Sequence, residues 1–150
     1  MHYTPYIALA LATSKLLGGW EPTPKFVEAI AQVESGGDLK AIGDKGKARG
    51  PYQFQKAAWD DCRVLMKQSG GPVVSWSVGA HNEAISRQYV VCYCLTIAKR
   101  LEKDGVVVNN GSVYLCYTMG YNAARKIQFL VDSAPAVKQS STNRVIALSK

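Results

Sequence analysis

Glu34 is the residue whose type and setting carry the most chemical information in this chain of 150 residues. It follows Ile30 by four positions and Val27 by seven, which on a helix places it on the apolar face. A carboxylate partly removed from water resists ionisation, so its pKa rises. A general acid working near neutral pH needs that property. Asp44 lies further on in a Gly-rich stretch and is expected to stay ionised, so two carboxylates in unlike settings could divide acid and base roles. Asp44 reads equally as an ordinary turn residue beside glycine. Ser35 reads either as a partner of Glu34 or of a substrate, or as a simple helix-end cap. Gln53 can both donate and accept hydrogen bonds.

The residues around this pair form an ordered series. Glu34-Ser35-Gly36-Gly37 is followed by Ala41, Gly43, Asp44 and Gly46, then by Gly50-Pro51-Tyr52-Gln53 and Trp59-x-Asp61-Cys62. This series resembles the active-site signature of the lysozyme-like superfamily, as in soluble lytic transglycosylases and goose-type lysozymes. Its details are closer to invertebrate-type lysozymes and their bacterial counterparts, although the chain has far fewer cysteines than the animal members. A second block, Met119-Gly120-Tyr121-Asn122-Ala123-Ala124-Arg125, resembles the Ala-Tyr-Asn-Ala-Gly motif of lytic transglycosylases.

The resemblance implies a single domain over residues 1–150. The implied fold is mainly α, of the α+β lysozyme type, with a small Gly-rich loop or β-hairpin lobe flanking an active-site cleft. It implies cleavage of the β-1,4 bond between N-acetylmuramic acid and N-acetylglucosamine in peptidoglycan. Glu34 would be the general acid and Asp44 the second carboxylate. Gly50, Tyr52, Gln53, Tyr121, Asn122 and Ser35 would contact substrate, with Tyr121 and Asn122 beside Glu34. The glycines would let a polysaccharide approach the backbone. Asp44 on the invertebrate-type pattern favours hydrolysis. Lytic transglycosylation to 1,6-anhydromuramyl products is the alternative, and a glycan-binding protein without activity is the alternative of another class. A secreted, periplasmic or cell-envelope location follows from such a substrate, a phage-borne enzyme included.

These residues need elements to hold them. Thr23 and Pro24 suit the N-cap and first position of a helix. Phe26, Val27, Ile30, Ala31 and Val33 give its apolar face, and Gly36-Gly37 its end. Asp38 to Gly50 reads as loop or short hairpin. Helices are expected from Gln55 to about Gln68, from about Ala80 to Lys103, from a Ser112 cap through Tyr121, and from Arg125 to Val131, with a last short helix. Val73 to Gly79 is expected to be irregular. At the start, Ile7 to Ala12 is apolar and Ala10-Leu11-Ala12 has a small-residue pattern, but no Lys or Arg precedes it as in a leader peptide. A first helix from Thr4 to Leu17 is expected instead.

Composition bounds the remaining choices. The hydrophobic fraction of 47% excludes disorder as the main state, and no apolar run has the length of a membrane span. With 18 Lys+Arg against 11 Asp+Glu the net charge is +7, which suits an anionic partner or serves solubility. The basic residues are scattered and lack interleaved aromatics, so a nucleic-acid module is not expected. No metal is expected, because the cysteines Cys62, Cys92, Cys94 and Cys116 lack zinc-site spacing. They read either as two disulfides or as four buried thiols. No cofactor is expected, and the chain is expected to act as a monomer.

Overall fold

A computed structural model describes residues 19–150. The expected helix from Thr4 to Leu17 lies outside the described residues. The described part is mainly helical, with one small antiparallel sheet in the first half.

Helix α1, Pro24–Ser35, begins where the sequence predicts. The Thr23 side chain accepts from the Phe26 amide at 3.1 Å, a cap worth about 1 kcal/mol. Gly36 at φ 70° closes the helix, and the Gly36 and Gly37 amides bond back to Gln32 and Ala31. The Gly-rich stretch then folds into three short strands, β1 (Ile42–Gly43), β2 (Ala48–Arg49) and β3 (Phe54–Gln55), in the order β1-β2-β3. Ile42 pairs with Arg49, and Arg49 with Phe54. A 3-10 turn, Asp44–Gly46, forms the tip between β1 and β2.

The third strand was not expected. It takes Gln55 out of the helix that follows, and α2 spans Lys56–Gln68. Within Val73 to Gly79, expected to be irregular, Trp76–Gly79 forms one helical turn, α3. The long helix α4, Glu83–Lys103, starts three residues later than expected because Asn82 caps it, accepting from the Ile85 amide at 3.0 Å. Helix α5, Asn110–Met119, is capped by Asn109, with Ser112 as the third helical residue in a reciprocal pair of bonds. The predicted continuation through Tyr121 fails at Gly120, where φ 83° and ψ 145° interrupt the helical path. Helix α6, Tyr121–Lys126, follows in a new direction, and the expected helical end near Val131 is a separate 3-10 turn, Val131–Ser133. The last helix, α7, Ala136–Leu148, is 13 residues long rather than short.

Helices α4 and α5 form the centre. Tyr89, Val90, Leu101, Tyr114 and Leu115 are all buried, and Trp59 of α2 stacks on Tyr89 with centroids 3.7 Å apart. Burying aromatic side chains of this size dominates core energetics. Helix α7 packs against both α1 and α5, which brings the end of α1, the middle of α5 and the start of α7 together. The four cysteines are buried free thiols. Cys92 and Cys94 are both buried because α4 is enclosed on several sides. No helix among the described residues is long and apolar enough to cross a membrane.

Candidate active site

Glu34 sits in the last turn of α1, half-buried, where α5 crosses it. The Tyr114 hydroxyl of α5 donates to Glu34 Oε1 at 2.6 Å. Lys138 of α7 donates from Nζ to Thr118 Oγ1 at 2.9 Å. Three elements thus act on one carboxylate: α1 carries it, α5 bonds it through Tyr114, and α7 brings the Lys138 charge to it. Burial raises the Glu34 pKa above its ordinary 4.5, and the Tyr114 hydrogen bond and the Lys138 charge pull back against that rise. Burial, followed by the Glu34 charge, holds the Tyr114 phenol protonated and therefore a donor.

Glu34 opens onto a cavity of about 430 Å³ whose lining includes Asp44, Gln53, Tyr117, Met119 and Lys138. Asp44 reaches it from the 3-10 turn at the hairpin tip and is exposed, with φ 48°. Gln53 lines it from the turn before β3, also at φ 48°. The Gln53 amide nitrogen Nε2 donates to the Gly50 carbonyl at 2.9 Å. Its Oε1 occupies the space a Cβ at Gly43 would need, 2.1 Å away. Glycine at position 43 therefore makes room for the Gln53 side chain.

Other expected site residues fall elsewhere. Tyr52 is only 3% exposed and packs in the core, and its carbonyl accepts from the Tyr117 hydroxyl at 2.6 Å. Ser35 donates to the Pro51 carbonyl at 2.8 Å and accepts from the Asp38 amide at 3.1 Å, tying the helix end to the loop. Gly50 is buried, and a Cβ there would lie 1.8 Å from the Ala80 carbonyl oxygen. Its lack of a side chain serves chain packing, not the approach of a polysaccharide. Tyr121 and Asn122 do not stand beside Glu34. They lie beyond the Gly120 break and line a second pocket. Tyr121 donates to Asp104 Oδ2 at 2.7 Å, and Asn122 Oδ1 accepts from Arg100.

Tyr114 takes the place beside the carboxylate that the motif had given to Tyr121. Its signal was present, since Tyr114, Tyr117 and Tyr121 have helical spacing and would share one face of an unbroken helix. Lys138 carried no readable signal, being one of many scattered basic residues. Among the described residues no group of three or more His, Cys, Asp and Glu is gathered to hold a metal ion.

The Tyr114 bond can be tested through pH. Tyr114→Phe removes a donor that favours the ionised form, so the Glu34 pKa should rise further. The alkaline limb of any Glu34-dependent activity should move to higher pH. An unshifted limb in a folded variant would show that the bond does not tune Glu34.

A carboxyl group with a raised pKa, fixed at one oxygen beside an open cavity, has the setting a general acid needs. Comparison with known proteins finds similarity over a short segment. Over 46 residues, 31% of this chain, the sequence is 56% identical to the protein named probable transglycosylase SceD 3 of Staphylococcus saprophyticus subsp. saprophyticus. The probable transglycosylase SceD 1 of the same organism matches equally. The probable transglycosylase SceD of Staphylococcus carnosus is 53% identical over 34 residues, 23% of this chain. The matches span 19%, 19% and 15% of those proteins, about a fifth of their length or less. No family model matches the chain, and no solved structure matches it.

Proposed function

We propose that this protein cleaves peptidoglycan glycan strands between N-acetylmuramic acid and N-acetylglucosamine, with Glu34 as general acid. The observation that carries the reading is the half-buried Glu34 carboxylate, raised in pKa and held by Tyr114 at the edge of an open cavity. Glu34 gives its proton to the glycosidic oxygen as the bond to the anomeric carbon breaks. Charge of oxocarbenium type develops on the muramyl ring. The ionised Glu34 then takes the proton of the muramyl 6-hydroxyl, whose oxygen closes on the anomeric carbon to give a 1,6-anhydro end. One carboxylate suffices for this route. The transglycosylase names of the partial relatives favour it over hydrolysis. The likeness of the Glu34–Gln53 series to the lysozyme-like signature supplies the substrate class.

Hydrolysis is the second reading, and one observation favours it. Asp44 lines the same cavity as Glu34 and can act as a second carboxylate, stabilising charge or orienting water. Gln53 would bond the sugar from the cavity wall. The substrate places the protein at the cell envelope or outside the cell.

Loss of turbidity from purified bacterial walls tests the reading against the glycan-binding alternative. Wild type should clear the suspension and Glu34→Gln should not. Equal clearing by the two would remove Glu34 from the mechanism, and binding without clearing by wild type would leave a glycan-binding protein. The net charge of +7 should assist adsorption to the anionic wall. Clearing should therefore slow as salt rises, because the screening length falls from about 10 Å at 0.1 M to about 3 Å at 1 M. A flat salt response would assign the charge to solubility.

A further inference from the structure

We propose that the pocket holding Tyr121 and Asn122 binds the acidic peptide branch of the same glycan strand, with Arg100 as its carboxylate receptor. The inference rests on the peptidoglycan reading of the Glu34 cavity. The second pocket has a volume of about 360 Å³ and shares Tyr93, Met119 and Gly120 with that cavity. The two are therefore neighbours across one rim, and a branched polymer seated at Glu34 can extend a substituent over it.

The pocket's chemistry differs from that of the Glu34 cavity. The Arg100 guanidinium lies over the Tyr121 ring, its Cζ 3.8 Å from the ring centroid. Its Nη2 donates to Asn122 Oδ1 at 3.1 Å. Tyr121 is itself held by its bond to Asp104. Arg100 is thus fixed on two sides before any ligand arrives, which reduces the ordering cost of binding. A guanidinium carries five N–H donors in a planar fork that matches a carboxylate, and Asn122 takes one of them. Asp61 lines the pocket as well, giving it one charge of each sign. Paired charges suit a peptide carrying carboxylate and ammonium groups better than a neutral sugar ring. Tyr121 and Asn122, expected beside the acid, act here as the scaffold of Arg100.

The test measures binding of fluorescently labelled glycan oligomers in the Glu34→Gln background, which suppresses cleavage. One probe carries native peptide branches, and the other has its branch carboxylates converted to amides. The native probe should bind roughly tenfold more tightly, the scale of a charge-assisted hydrogen bond. Adding Arg100→Gln should abolish the difference between the two probes, and Arg100→Lys should restore part of it. Equal binding of the two probes, or discrimination that survives Arg100→Gln, overturns the proposal and leaves the Glu34 reading standing. If neither probe binds, the glycan reading falls and the proposal falls with it.

Discussion

Glu34→Gln is expected to lower glycan cleavage by roughly 10²–10⁴-fold, the usual contribution of a positioned general acid. Gln keeps the size of the side chain and can still accept from Tyr114, but it has no proton to give. The same substitution should leave the fold intact and raise stability above neutral pH. The sign follows from the raised pKa of Glu34 in the folded state. A carboxyl whose folded pKa lies above its unfolded value contributes stability fully below the unfolded value, about 4.5. That contribution is lost as pH rises through the folded value, because the ionised form is poorly solvated. Gln cannot ionise and escapes the loss. The gain in melting temperature should be present at pH 8 and absent at pH 4. Thermal melts of the two proteins at both pH values, with wall-clearing rates at neutral pH, check both halves. A folded Gln variant with normal rates would remove Glu34 from the chemistry. A gain independent of pH would assign the stability change to something other than ionisation.

Gly50→Ala should have the largest effect on stability. Gly50 sits at φ 75°, which costs an L-residue about 1–2 kcal/mol. A Cβ there would also meet the Ala80 backbone carbonyl at 1.8 Å, a group that cannot swing away as a flexible side chain can. Forced overpacking of this kind adds about 1–3 kcal/mol. Together these predict a melting temperature lower by roughly 5–15 °C for a domain of this size. Gly50 also joins the hairpin to the cavity. Its amide bonds to the Ala41 carbonyl, and its own carbonyl accepts from both the backbone and side-chain nitrogens of Gln53. Displacing it moves Gln53, so activity should fall below what the unfolded fraction explains. An unchanged melting temperature would contradict this account.

Much of the framework was legible in the sequence because local signals agreed with packing. Thr23-Pro24 and Gly36-Gly37 bracket α1 through cap chemistry alone, and the apolar spacing places Glu34 on the face that α5 covers. The departures have local causes. β3 is two residues long and leaves no periodic signal, so Phe54–Gln55 could not be separated from the helix that follows. At Ser112 a residue that can cap a helix instead completes the Asn109 cap from inside the first turn. Gly120 decided the most consequential departure. A glycine inside a helical pattern can be tolerated or can break it, and here the break swings Tyr121 and Asn122 away from Glu34. The contact between Tyr114 and Glu34 joins residues 80 positions apart, and no short-range pattern specifies such a pairing.

Mass spectrometry of the soluble products from purified peptidoglycan tests the central claim most directly. The account predicts muropeptides with anhydro ends, one water lighter than hydrolysed fragments. They should be released by the wild-type protein and by Asp44→Asn, and absent with Glu34→Gln. Fragments carrying the full water, lost on Asp44→Asn substitution, would contradict transglycosylation and make Asp44 the second carboxylate of a hydrolase. Release of no fragments by the folded wild-type protein would contradict glycan cleavage itself.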